Sequence, residues 1–333
     1  MTNTNKFDYG KVAVLMGGNS AERDISLLSG NAIYQGLLNC GIDAIKIDTQ
    51  KEVYQSLVDN NIERAFIALH GRDGEDGVIQ GFLRMLGIPF TGSDTASSSL
   101  AMNKLLCKKI WLQMGFTTAE FAEVDSQKIL NMTDAKQIIT QLGESLFVKP
   151  IREGSSVGMS KVNGCDELVI AVKKAQQYDS VLIEKFIDGR EYTVSILGGK
   201  PLPSISMVTP NEFYDFDAKY NANTTEYFCP SGLSSQQEKN LQKMALSAFN
   251  ALGCSGWGRI DFIKDNNTDE FMLLEANTVP GMTETSLVPK AAQSAGIDFS
   301  QLVRKILDSS FCNDPFCSKQ YYKNMMELGD CHG

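Results

Sequence analysis

Histidine is nearly absent from this sequence: His70 and His332 are the only two among 333 residues. His70 has no second histidine or cysteine at ligand spacing nearby, which argues against a zinc centre there. Cys312, Cys317, Cys331 and His332 lie close together near the C-terminus, but their spacing fits no standard zinc pattern. Positive charge is also short. Lys and Arg number 31 against 40 Asp and Glu, for a net charge of −9, which speaks against nucleic acid or an acidic membrane as the main partner. No apolar run approaches membrane-spanning length. Met1 to Gly10 is polar and lacks the apolar centre of a signal peptide, so a cytoplasmic protein is expected. The eight cysteines are mostly scattered, several of them in apolar segments, as with Cys107 and Cys254. They read as free thiols in a reducing compartment. There is no internal repeat and no low-complexity tract.

What remains is a soluble globular chain, 43% hydrophobic and 21% charged, long enough for two or three domains. The first third alternates strand and helix. Lys11 to Met16 reads as a strand, turned by Gly17 and Gly18 into an amphipathic helix from about Ala21 to Asn39. Strands follow at Ile42 to Ile47 and Arg64 to Leu69, and then a helix from about Asp76 to Leu86. That rhythm implies a parallel sheet covered by helices. Ligands of such sheets sit beyond the carboxyl ends of the strands. Gly17, Gly18, Ser20, Glu22, His70 and Gly71 all fall there.

A second unit opens with a single helix from about Thr95 to Met114, carrying Lys104. A strand at Ser145 to Lys149 leads into the Gly- and Ser-rich loop from Arg152 to Ser160. Small residues let backbone N–H groups approach phosphate oxygens, although no Walker A sequence is present. Val181 to Phe186 is another apolar strand. A third unit, from about Glu191 to Leu307, contains a long polar and aromatic loop, a lid candidate. The tail after Ser309 shows no clear periodicity.

The third unit also holds the most chemistry. Arg259, Asp261, Glu275 and Asn277 lie in two strand-like runs joined by the turn Asp265-Asn266-Asn267-Thr268-Asp269. A hairpin with Lys264 opposite Glu270 sets Arg259 against Glu275 and Asp261 against Leu273. All four polar side chains then share one face. Carboxylates on a hairpin commonly face solvent. Here the strands are otherwise apolar, so these charges need partners or a metal. Two carboxylates and a carboxamide are hard oxygen ligands suited to Mg²⁺, and the guanidinium can hold an anion. An enzyme that handles phosphate with metal is the first expectation.

Several segments together closely resemble the D-alanine–D-alanine ligase family of the ATP-grasp superfamily. They are Gly17 through Arg23; Ala68 through Arg72; Lys149-Pro150 with Arg152 through Ser160; and Glu184-Lys185-Phe186. To these add Tyr214-Asp215 with Ala218-Lys219-Tyr220; Gly256 through Asp261; Leu274 through Met282; and Ser286-Leu287. They occur in the family's order from about Lys11 to about Leu307. The resemblance implies an α/β ATP-grasp fold of three α/β domains. Residues 1–94 would form an N-terminal parallel-sheet, Rossmann-like domain, 95–187 a central domain, and 188–308 a C-terminal domain with a lid loop at 209–232. Residues 309–333 would be a tail. ATP would lie between the central and C-terminal domains.

The resemblance further implies roles. Lys104, Lys149 and Lys219 would bind phosphates; Glu184, Lys185 and Ile187 would line the adenine pocket; Glu191 would hold the ribose. Asp261, Glu275 and Asn277 would hold two Mg²⁺ ions, with Mn²⁺ able to substitute. Glu22 would bind the amino group of the first D-alanine, and His70 and Arg259 would sit near its reacting carboxylate. Ser286 and Leu287 would receive the carboxylate of the second. Glu22, Ser155 and Tyr220 would form a triad that ties the lid shut, and the N–H of Gly281 would join Arg259 at the oxyanion. ATP would phosphorylate the first D-alanine, and the amine of the second would displace phosphate. A homodimer is the family's expected assembly. Three other readings stay open: an ATP-grasp ligase with other substrates, including D-lactate as acceptor; a nucleotide-binding regulator without turnover; and a metal-binding interaction protein built on the cysteine-containing tail.

Overall fold

A computed structural model gives the structure of residues 8–208 and 225–311. The first sheet is built from β1 (Val12–Met16), β2 (Ala44–Asp48) and β3 (Arg64–Ile67), interleaved with α1 (Arg23–Asn39) and α2 (Val53–Asp59). It is parallel in the order β2-β1-β3. Every residue of β1 is buried, as a central parallel strand covered on both faces requires. Short α3 (Val78–Met85) follows. The expected helix from Asp76 is thus trimmed, because Gly77 takes a left-handed φ of 95° at its start.

The single helix expected from Thr95 to Met114 is two, α4 (Thr95–Met102) and α5 (Lys104–Gln113). Asn103 breaks it with an extended backbone and caps α5, its side chain accepting from the Leu106 N–H at 3.0 Å. The break matters for function. It sets Lys104 at the first position of α5, with its own N–H bonded to the Ile151 carbonyl at 3.1 Å. The second sheet contains β4 (Phe121–Val124), β5 (Ser145–Pro150), β6 (Ser160–Asn163) and β7 (Val181–Lys185) in the antiparallel order β4-β7-β5-β6. Helices α6 (Met132–Leu142) and α7 (Cys165–Ala175) complete its core.

The third sheet has six strands: β8 (Gly189–Leu197), β9 (Lys200–Pro201), β10 (Ile205–Val208), β11 (Glu226–Phe228), β12 (Trp257–Asp265) and β13 (Phe271–Asn277). Helix α8 (Ser235–Ala251) opens with a capping box of Ser234 and Gln237. The chain closes with α9 (Leu287–Ser294) and α10 (Phe299–Asp308), whose apolar faces join the core of the first sheet. Part of the long loop expected at 209–232 is therefore strand β11. Lys219, Tyr220 and residues 312–333, with their cysteines, lie outside the described residues. Buried Cys107 and Cys254 have thiols pushed up by burial to about 12, which leaves them unreactive.

The hairpin register differs from the expected one. Arg259 pairs with Asn277 and Asp261 with Glu275; the ladder then shifts, so that Phe262 meets Leu273 and Lys264 meets Phe271. The shift leaves Leu274 unpaired, a β-bulge that the alternation of apolar residues does not announce. The shared face survives, because both polar pairs lie on the same side of the bulge.

Ser309, Ser310 and Phe311, expected to begin the tail, belong to the core. Ser309 Oγ accepts the Gly92 N–H at 3.1 Å. The Arg64 guanidinium donates to Ser310 Oγ at 2.9 Å and lies 3.9 Å from the Phe311 ring centre. Tyr9 packs on the same ring at 5.6 Å. Phe311→Ala should therefore cost about 3 kcal/mol of stability, read as a lower urea midpoint at unchanged slope. A loss below about 0.5 kcal/mol would show that this corner is only loosely packed.

Candidate active site

Two cavities meet at the β12–β13 hairpin. The smaller, of about 100 Å³, is lined by Glu22, His70, Glu75, Lys104, Ser155, Arg259, Asn277, Gly281, Ser286 and Leu287, among others. The larger, of about 490 Å³, is lined by Lys149, Glu184, Lys185, Phe186, Ile187, Glu191 and Leu274, among others. Glu275 lines both. The small space suits one or two amino-acid-sized groups. The larger lies between the second and third sheets and is of nucleotide size.

Glu22 sits where β1 gives way to α1, and its carboxylate accepts the Ser155 hydroxyl. Ser155 and Ser156 both adopt left-handed φ, 47° and 62°, a strained backbone for residues with side chains. That strain aims Ser155 across from the second sheet to the first. Close approach is possible because a Cβ on Gly71 or Gly154 would lie 2.6 or 2.8 Å from Glu22 Oε2. Lys104 reaches the same corner. Its ammonium donates to the Glu153 carbonyl at 2.6 Å and stands 3.8 Å from Glu275 Oε2.

His70 is buried at the end of the segment after β3. Its Nδ1 is 2.8 Å from the Val279 carbonyl and its Nε2 3.1 Å from Ser29 Oγ. A carbonyl only accepts, so Nδ1 carries the proton and Nε2 accepts from Ser29. Ser29 Oγ in turn accepts the Met282 N–H at 3.1 Å. Both ends of the Val279–Met282 segment are therefore pinned through one imidazole, and Gly281 sits between them. Burial holds His70 below its ordinary pKa, with Arg259 adding to the effect against the pull of Glu22 and the Val279 carbonyl. The ring is neutral and orients the loop. At the segment's far end, Ser286 Oγ accepts the Thr283 N–H at 3.0 Å, and Leu287 opens α9. Free N–H groups at a helix start favour a carboxylate.

Asp261 is buried beneath Arg259 and lines neither cavity. Its carboxylate accepts from Arg259 Nε and Nη2, both at 2.7 Å, from Thr193 Oγ1 at 2.7 Å and from Asn277 Nδ2 at 3.0 Å. These four donors use the four lone-pair directions of a carboxylate. Among the described residues no group of three or more His, Cys, Asp or Glu side chains stands together as a metal site. The set here is instead two carboxylates and an amide, all oxygen donors, which suits a hard divalent cation. A cation at Asp261 must displace Arg259 or Asn277 from it.

In the larger cavity Lys149 pairs with Glu184, and Glu184 also pairs with Lys108. Burial would raise the Glu184 carboxyl, but the two ammonium groups outweigh it and hold it below the usual range. The structure thus brings all the expected residues within its described part to these two cavities or, for Asp261, directly beneath one. It adds Glu75, Ser29 and Lys108. Glu75 was hidden in the polar run Arg72-Asp73-Gly74-Glu75-Asp76, where one carboxylate looks like the next. Ser29 and Lys108 carried a weak signal: each is a polar residue on a helix face that otherwise turns inward.

Known proteins match closely. A family model described as D-ala D-ala ligase C-terminus matches residues 110–308, and one described as D-ala D-ala ligase N-terminus matches 46–93. The D-alanine–D-alanine ligase of Pseudoalteromonas atlantica is 48% identical over 310 residues, 92% of this chain and 97% of the relative. That of Nitrosococcus oceani is 52% identical over 303 residues, 91% of this chain and 94% of the relative. The crystal structure of the Bacillus anthracis D-alanine–D-alanine ligase complexed with ATP superposes with a TM-score of 0.78 at 34% identity, covering 90% of this chain and 97% of that one.

Glu75 supplies a pH-dependent test of the site. Its Oε2 accepts the Gly71 N–H at 3.0 Å. Burial, and then the neighbouring Glu22, push its carboxyl from 4.5 up to about 8. Between those values the folded protein holds a proton that the unfolded chain has lost, so stability falls as pH rises through the window. Glutamine cannot titrate. Glu75→Gln should therefore gain stability over the unmodified protein by more than about 1 kcal/mol between pH about 5 and about 8. Urea unfolding of both at each pH, without metal or nucleotide, reads it. A constant difference would show that Glu75 does not titrate there.

Proposed function

The chain belongs to the D-alanine–D-alanine ligase family, and from that premise we propose that it joins two D-alanines in an ATP-dependent, ADP-forming reaction, as a step toward peptidoglycan. One observation carries this reading: Glu275 lines both cavities, so a nucleotide in the larger one ends where the smaller one begins. A phosphoryl group leaving the nucleotide meets a carboxylate held in the small cavity.

A carboxylate is a poor electrophile because its oxygen leaves badly. Transfer of the γ-phosphoryl of ATP to the first D-alanine makes an acyl phosphate, with phosphate as leaving group. Lys104 and Lys149 would neutralise the transferring oxygens, and the family resemblance adds Lys219, which lies outside the described residues, to the same role. Lys185, Ile187 and Glu191 offer contacts for the base and ribose. Glu22, which lines the small cavity, takes the ammonium of the first D-alanine. The Ser286–Leu287 start of α9 takes the carboxylate of the second, whose neutral amine then attacks the acyl carbonyl. The tetrahedral oxyanion falls to Arg259 and the Gly281 N–H. His70 contributes by holding the Val279–Met282 segment in place. Two Mg²⁺ ions, or Mn²⁺, would be held by Asp261, Glu275 and Asn277 and would supply charge neutralisation at the phosphates. Tyr220 would close the lid through Ser155 onto Glu22, keeping water from the acyl phosphate. A cytoplasmic homodimer is the expected form.

Incubation with ATP, Mg²⁺ and D-alanine should yield ADP, phosphate and D-alanyl-D-alanine, with L-alanine inactive. Asp261→Ala and Glu275→Ala should each lower turnover by at least about 100-fold while thermal unfolding stays cooperative. Near-normal turnover of either at limiting Mg²⁺ would remove it from the metal site. With D-lactate also present the unmodified protein should form little ester. Tyr220→Phe would remove the hydrogen bond that the family resemblance implies, worth about 0.5–1.5 kcal/mol, and should shift product toward the ester, most at lower pH, where the competing amine is protonated. An unchanged product ratio would show that this hydroxyl does not choose the acceptor.

A further inference from the structure

Lys108 is the most deeply buried cation among the described residues, with no exposed surface, and the reaction as read above does not use it. It lies on α5, one turn after Lys104, and lines neither cavity. Its ammonium donates to Thr118 Oγ1, to Glu184 and, at 3.3 Å, to the Ala119 carbonyl. Thr118 spends its own hydrogen on the Leu273 carbonyl at 3.0 Å, so its oxygen faces Lys108 as an acceptor. Three acceptors surround one nitrogen. A neutral amine would turn its lone pair on one of them, whereas –NH₃⁺ satisfies all three. Burial, the leading effect, and Lys149 pull this ammonium below its ordinary pKa, and Glu184 opposes them.

Glu184 is also buried and divides its two oxygens, Oε1 to Lys108 and Oε2 to Lys149. The two cations differ in one respect. Lys149 lines the larger cavity; Lys108 is tethered behind it to the segment before β4. We propose that Lys108 is a positioning residue of the nucleotide site: the permanent counter-ion of Glu184, which lets Lys149 turn from Glu184 to a phosphate oxygen without stranding a buried carboxylate. The proposal rests on reading the larger cavity as the ATP site.

The energetics favour this division. A buried carboxylate stripped of its only cation costs several kcal/mol. With Lys149 as sole partner, that cost would fall on nucleotide binding. With Lys108 in place, Glu184 keeps one ion pair throughout. The cluster also carries two positive charges against one negative, a surplus suited to an anionic ligand. Lys108 cannot serve the ligand itself, since its three hydrogens are committed to acceptors that do not move with it. The Thr118–Leu273 bond extends the same cluster to β13, the strand that carries Glu275. A neighbouring link, the Leu273 N–H to the Thr117 carbonyl at 2.9 Å, holds the two sheets together there.

The test is a double-mutant cycle on the full chain: the unmodified protein, K108M, E184Q and K108M/E184Q. Phosphate release is measured with ATP and D-alanine varied in turn, ATP binding by equilibrium dialysis, and folding by thermal unfolding. K108M should raise the KM for ATP about tenfold or more and leave the KM for D-alanine within about twofold. In the E184Q background no charge remains to be stranded, so adding K108M should change the KM for ATP by less than about threefold. A purely structural lysine would instead lower the melting temperature with no such split. An unchanged KM for ATP in K108M, or an equal loss in both backgrounds, overturns the proposal. Should K108M fail to fold, E184Q against K108M/E184Q decides by the same threefold limit. If the unmodified protein binds no ATP, the nucleotide reading falls and the proposal with it. If it binds ATP and K108M binds equally well, only the proposal falls.

Discussion

The buried carboxylate of Asp261 is the constraint on which the site depends. A charge placed beneath a sheet surface needs compensation on every lone pair. Here that comes from three strands at once: Arg259 on its own strand, Asn277 on β13 and Thr193 on β8. The register of the central strands and the aim of the Arg259 guanidinium thus follow from one demand. Arg259 is held by two parallel bonds in the fork geometry that guanidinium and carboxylate share. Its position is set before any substrate arrives.

The bulge opposite Asp261 and Phe262 has a further consequence. It lets one strand serve two cavities: Leu274 and Glu275, successive residues, both line the larger one, and Glu275 reaches the smaller as well. In a regular ladder successive side chains point to opposite faces. The irregularity joins a space of nucleotide size to one of amino-acid size through a shared carboxylate. Around that junction the charges alternate. Lys149 lines the larger space, Glu22 and Glu75 the smaller, and Lys104, also in the smaller, stands 3.8 Å from the shared Glu275.

Much of the site was readable from residues alone. The polar face of the hairpin followed from strand alternation, and Glu22 and His70 followed from their places after parallel strands. Apolar runs such as Val12–Met16 announced the first sheet. Other features escaped for identifiable reasons. Asn103 divides a helix that periodicity makes continuous, because a single capping side chain outweighs a pattern of apolar spacing. His70 is expected near the reacting carboxylate and does line the small cavity; what its place in the sequence does not announce is that its two ring nitrogens also pin a loop, through Ser29, more than 200 positions away in the chain. Ser309 to Phe311 lacked periodicity because three residues are too few to show any, yet they fill a corner beside Arg64 and Tyr9.

The sequence by itself determined the kind of chemistry: oxygen ligands, lysines and an arginine in an acidic chain, on an α/β framework, in the order shared by one ligase family. Those properties are local or depend on order alone, so they survive without coordinates. Tertiary structure alone decided which charges oppose one another. Lys108, Glu184 and Lys149 form one cluster although long stretches of chain separate them, and only a weak signal, its place on the inward face of a helix, separates the buried Lys108 from the exposed Lys109 beside it. The physical reason is that burial and pairing are properties of packing. A lysine becomes a permanent counter-ion only when helix and sheet close over it and leave it three acceptors.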